Sequence, residues 1–121
     1  TNVASTIAAL EFFKDKNISL IAGGDSKRLS LEPLEKYLNK NVSHLFLIGK
    51  DALVIKKIFA KLNNLKISIC NDLVVAVTEA FDRATVGDII LLSPSCSSHD
   101  MYQNYSERGE HFNKIVRSLK N

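Results

Sequence analysis

Tryptophan is missing from these 121 residues, methionine occurs once, and proline and cysteine occur twice each. Two cysteines cannot build the disulfide framework of a small secreted fold, and Cys70 and Cys96 have no metal-binding spacing. Reduced thiols and a cytoplasmic setting are therefore expected, with Cys70 buried at a strand end and Cys96 packed behind a loop. No apolar run nears the roughly 20 residues that span a bilayer, and no signal-peptide pattern opens the chain. No membrane partner is expected. Neither sign of charge dominates: 16 basic and 13 acidic residues leave a net charge of +3. The lysines are scattered, with no basic block interleaved with aromatics, which argues against nucleic-acid binding. What is present, 45% apolar and 24% charged residues, suits one globular domain over 1–121 with its own core.

Hydrophobic periodicity alternates along the chain. Asn2 can cap a first helix running to about Lys14, with Val3, Ile7 and Leu10 on one face. That opening reads as a helix already under way, as expected of a domain cut from a longer protein. "ISLIAGG" (18–24) is an apolar run closed by glycines and reads as a buried strand. A brief helix is expected over Pro33 to Asn39, then the strand "VSHLFLIG". Ile55, Ile58, Phe59 and Leu62 next stripe a helix. "KISIC" is a strand, and Leu73, Ala76, Val77 and Ala80 stripe another helix behind Asn71 and Asp72. "GDIILLSP" is the last strand. A final helix from about Ser106 to Lys120 buries Phe112, Ile115, Val116 and Leu119. Such alternation predicts an α/β fold: a mostly parallel, Rossmann-like sheet with helices on both faces. Right-handed crossovers then gather the strand-to-helix loops at one edge, where open sheets hold ligands.

Two of those loops are chemically rich, "GGDSKRLS" and "SPSCSSHDMYQNY"; "GKDA" and "CNDL" read as plain helix starts. Ser98, His99 and Asp100 spell a hydrolase triad, but consecutive side chains diverge and cannot form the relay, and no G-x-S-x-G elbow is present. The same loop, with a serine hydroxyl and the open N–H groups of a starting helix, suits an anion. In the first loop two glycines let the backbone turn sharply and approach a ligand, and Lys27 supplies a point charge. This is not a Walker A loop. Together the two loops predict an anion pocket. His44 and His111 read as packed or solvated, and no metal site is expected in this chain. A free-standing α/β module for an acidic or phosphorylated small molecule fits these features as an alternative.

"LLSPSCSSHDMYQNYSERGEHF" resembles the signature LLSPACAS-x-D-x-F-x-x-F-x-x-RG-x-x-F of the C-terminal domain of the D-glutamate-adding Mur ligases of peptidoglycan synthesis. "TNVASTIAAL" is similar to the start of that domain and "GGDSKRLSLEPL" to its GG-x-x-K-x-x-x-x-x-PL loop, so the resemblance covers the whole chain. It implies an ATP-dependent amide ligase that adds D-glutamate to UDP-N-acetylmuramoyl-L-alanine through an acyl phosphate. N-terminal and central domains, absent from this chain, would hold the UDP-sugar, ATP and Mg2+. This stretch alone is expected to be inactive, and the full protein to be monomeric. By the same resemblance Thr1 and Lys27 hold glutamate carboxylates, and Ser98 binds one with help from the main-chain N–H groups of His99 and Tyr105. Asp25 and Asp100 read as loop-fixing residues. His99 stands where an apolar residue is common, Tyr105 replaces a phenylalanine, and Ser30–Leu31 replaces a more usual Asp-Phe pair. The D-N-P-R signature of the diaminopimelate-adding ligase does not occur.

Overall fold

The computed structural model describes residues 3–23, 31–92 and 105–119, with the first five residues of the last segment as backbone only. Helix α1 (Val3–Phe12) leads into strand β1 (Ile18–Gly23). A 3-10 turn (Glu32–Leu34) holding Pro33 runs into helix α2 (Glu35–Asn41). There follow β2 (Val42–Ile48), α3 (Ala52–Phe59), β3 (Lys66–Ile69), α4 (Leu73–Arg83), β4 (Ile89–Leu92) and α5 (Tyr105–Leu119). Every expected element is present, with ends displaced by a few residues. The first helix stops at Phe12 rather than Lys14, and Leu62 lies in the turn beyond α3 yet still packs on the core. Cys70 falls outside β3 as assigned, but its N–H still donates to the Leu47 carbonyl at 2.8 Å, so the ladder runs on to it.

The sheet order is β3-β2-β1-β4, and all three pairings are parallel. Strand side chains alternate between two cores. Ile18, Leu20, Ala22, Leu45 and Leu47 meet Leu10, Leu34, Leu38, Ile55 and Phe59, which places α1, α2 and α3 on one face. Ile21, Phe46 and Ile48 meet Leu73, Ala76, Val77, Ala80 and Ile115, which places α4 and α5 on the other. The direction of travel explains the split. From β1 to β2 to β3 the chain steps one way along the sheet; from β3 it crosses back over two strands to β4. Right-handed connections put the helices of opposite steps on opposite faces. In α4 the sequence and the fold agree closely: all four striping residues are buried, and the Asp72 carboxylate accepts from the Val75 N–H at 2.9 Å as an N-cap.

Gly23 closes β1 with φ +122°, and a Cβ there would lie 2.1 Å from the Ile48 carbonyl oxygen of the neighbouring strand. The contact is backbone, so it cannot be relieved by a rotamer change. Gly87, in the turn before β4, has φ +95°, but among the described residues nothing lies within 4 Å of where a Cβ would sit. Gly87→Ala should therefore cost only conformational strain, about 1 kcal/mol. Gly23→Ala adds a steric clash and should cost on the order of 3 kcal/mol. Urea unfolding midpoints of the two variants check this; equal losses would mean that the close approach at Ile48 is not what requires glycine.

Candidate functional site

Of the residues that the sequence nominates, Thr1, Lys27, Ser98 and His99 lie outside the described residues. Tyr105 is the first residue of α5, a position whose N–H has no partner within the helix. The described structure supplies the frame from which the two rich loops depart. β1 ends at Gly23, and residues 24–30 follow it; β4 ends at Leu92, and residues 93–104 follow it. These strands are direct parallel neighbours, with Ile21 level with Leu92. Adjacent strands lie about 4.8 Å apart, so both loops leave the same edge of the sheet from neighbouring roots.

They also lead to opposite faces. The β1 loop feeds α2 on one side of the sheet, and the β4 loop feeds α5 on the other. Neighbouring strands whose outgoing connections diverge in this way open a crevice beyond their carboxyl ends, the usual ligand position in open α/β sheets. The other two turns at this edge are short, as the sequence indicates. Gly49 to Asp51 leads into α3, where Asp51 makes no side-chain cap bond, and Asn71–Asp72 leads into α4.

Away from this edge, a surface cleft of about 570 Å³ runs beside α2, lined by Ile7, Pro33, Tyr37 and Leu62 among charged residues. It includes neither loop root. A second polar group, which sequence reading did not assemble, lies beneath α4. His44 is buried and its Nε2 sits 2.7 Å from the Ser68 hydroxyl of β3, in a hydrogen bond whose direction follows the tautomer. The His44 ring stacks on Phe46 at 4.0 Å. The period-two pattern of "SHLF" does put His44 and Phe46 on one face; the pairing across to Ser68 depends on strand order. His44 is thus packed, one of the two outcomes its sequence context allows. Burial, reinforced by the charges of Arg83 and Lys66, pushes its pKa below the ordinary histidine value, with Glu79 opposing.

Cys70 is buried as expected, and its thiol donates to Glu79 Oε2 at 3.8 Å. Burial, with the Glu79 carboxylate beside it, pushes the thiol up to about 11. A group so reluctant to ionise is a poor nucleophile and a poor metal ligand. Among the described residues no three His, Cys, Asp or Glu side chains gather as metal donors, and no helix is long and apolar enough to cross a membrane.

An all-parallel α/β sheet with a reversal of strand order between β1 and β4 defines a Rossmann-like domain. The model of the family described as "Mur ligase, glutamate ligase domain" matches residues 1–96, and the chain belongs to that family. Similar curated proteins are UDP-N-acetylmuramoylalanine--D-glutamate ligases. That of Clostridium tetani is 40% identical over 119 residues, covering 94% of this chain and 26% of the relative. Those of Geotalea daltonii and Shewanella oneidensis are each 44% identical, covering 98% of this chain and 26% of the relative. The chain therefore spans about a quarter of the length of these relatives.

The thiol environment makes a direct prediction. In a Cys96→Ser variant, iodoacetamide should modify Cys70 roughly a hundredfold more slowly at neutral pH than it modifies an unperturbed thiol. Mass spectrometry should show ordinary rates once denaturant is added. Rapid labelling of the folded protein would mean that the burial at Cys70 is not what it is described to be.

Proposed function

We propose that this chain is the D-glutamate-binding part of an ATP-dependent ligase that joins D-glutamate to UDP-N-acetylmuramoyl-L-alanine in bacterial peptidoglycan synthesis. The carrying observation is the pair of loops that leave adjacent parallel strands at the edge where such sheets hold ligands. Lys27 lies four residues beyond Gly23 and Ser98 six beyond Leu92. At a maximum of about 3.5 Å per residue, both are within reach of one small molecule seated over the β1–β4 junction. Family membership and the names of the relatives support the choice of ligand.

The division of labour follows from chemistry. D-Glutamate brings two carboxylates and an amine. The Lys27 ammonium and the hydroxyls of Thr1 and Ser98 are suited to the carboxylates, and so are the N–H groups of His99 and Tyr105. A carboxylate taken out of water needs such partners, since burying it unpaired costs several kcal/mol. The amine must be neutral to attack an activated carbonyl, so it is left without a carboxylate partner here and faces the rest of the protein. ATP supplies the phosphoryl group that activates the acceptor carboxylate. The G-x-x-x-x-G-K-[ST] loop does not occur in this sequence, and the family resemblance assigns nucleotide and Mg2+ to other parts of the full-length protein.

In the full-length enzyme, Lys27→Ala and Ser98→Ala should each raise the KM for D-glutamate by at least about tenfold, one charge-assisted hydrogen bond being worth about 1.5–3 kcal/mol. The KM for ATP should change much less. Steady-state assays varying each substrate in turn check this, and unchanged glutamate kinetics in both variants would sink the pocket. The 121-residue chain alone should incorporate no D-glutamate; ATP-dependent turnover by it would contradict the division of labour.

A further inference from the structure

Among the described residues the sheet has two edges, β3 and β4, and they are built differently. In β3 (Lys66–Ile69) polar residues alternate with apolar ones: Lys66 is exposed, and Ser68 already bonds His44 of β2. Charge and polarity of this kind blunt an edge that faces water. β4 (Ile89–Leu92) has neither. Ile89 and Leu91 reach one core, and Ile90 and Leu92 reach the other. Such a run suits a strand covered on both faces, and an apolar strand left open at its edge is a template for pairing. All four residues of β4 stay partly exposed, where every residue of β1 is buried, and among the described residues β4 pairs only with β1. The ladder shows which main-chain groups are left over. The Ile89 N–H donates to the Asn17 carbonyl at 3.0 Å, on the β1 side. Successive residues of a strand turn their main-chain groups to opposite sides. Leu91 therefore also faces β1, while Ile90 and Leu92 present N–H and C=O groups to the outer edge.

We propose that the outer edge of β4 is completed by a further strand, supplied by the part of the full-length protein that lies outside these 121 residues. The length of that part makes it the fitting occupant, since this chain spans only 26% of its curated relatives. A second copy of the domain is a poorer one. An edge of four residues turns only Ile90 and Leu92 outward, too few main-chain bonds to hold a separate molecule against the cost of association. A tethered strand meets much less of that cost. The added strand braces β4, the strand that precedes Ser98, from its open side and ties it to the rest of the protein. The inference rests on edge chemistry and on the length of the relatives. It does not depend on which ligand the domain holds, so it stands or falls separately from the glutamate reading.

Residue-resolved hydrogen exchange on the full-length protein, corrected for intrinsic rates, reads the edge directly. At a concentration where sedimentation shows a monomer, the amides of Ile90 and Leu92 should be protected to within about tenfold of those of Ile89 and Leu91. An open edge gives an alternating pattern instead, with Ile90 and Leu92 exchanging about a hundredfold faster or more, and that result would overturn the proposal. Protection of Ile90 and Leu92 that disappears on dilution would overturn it too, since a second copy would then be the occupant. Nuclear Overhauser contacts name the partner strand: those from the Ile90 and Leu92 amides should reach main-chain protons of residues outside this chain. Contacts confined to residues 1–121 would mean that the domain closes its own edge, and the proposal would be wrong.

Discussion

Parallel pairing on both edges of β1 is the constraint from which the rest of this structure follows. All six residues of the strand are buried, and they touch two cores at once, Ile18, Leu20 and Ala22 on one side and Ile21 on the other. A strand in that position is apolar apart from Ser19, because no face of it meets water, and its main chain must find partners to left and right. β2 supplies one set and β4 the other. Since β4 arrives only after the chain has passed through β3 and recrossed the sheet, the first and last strands of the domain become neighbours. Their two outgoing loops, far apart in sequence, thereby share an edge.

Gly23 shows how closely that arrangement is built. The end of β1 lies so near Ile48 that no side chain fits, and the backbone turns there through a conformation that L-residues rarely adopt. The end of the strand and the left-handed backbone that follows its last buried apolar residue are compressed into one residue. The opposite arrangement holds under α4. There the sheet accommodates polar side chains, His44, Ser68 and Cys70, and each is engaged by hydrogen bonding within a mostly apolar face. Buried polar groups of this kind are tolerated only when partnered, and the partnering ties the edge strand to the body of the sheet.

The elements themselves were legible from spacing. The stripes in α3, α4 and α5 and the apolar runs of β1, β2 and β4 identify their own type, because helical and strand periods differ and each run is long enough to show which applies. Their ends were less legible. Lys14 reads as helical by pattern, but the chain leaves α1 at Phe12, and residues 13–16 form turns whose bonds, such as Lys16 N–H to the Phe13 carbonyl at 2.9 Å, are set by where β1 must begin. Ser68 and His44 gave no hint of each other, since 24 residues separate them and only adjacent pairing of β2 and β3 brings them together. The candidate residues Lys27 and Ser98 were nominated by residue type and by family resemblance, and the fold contributes the adjacency of the strands that precede them.

The order of residues alone, then, was enough for the α/β class, the number and kind of its elements, and the chemistry available in its loops, all of which are encoded in local period and local composition. Strand order was settled only in three dimensions: that β4 returns beside β1, that α4 and α5 share a face, and that a buried imidazole meets an edge-strand hydroxyl. Local pattern can tell a segment to be a buried strand, but which neighbour completes its hydrogen bonds depends on how all the apolar faces are covered together.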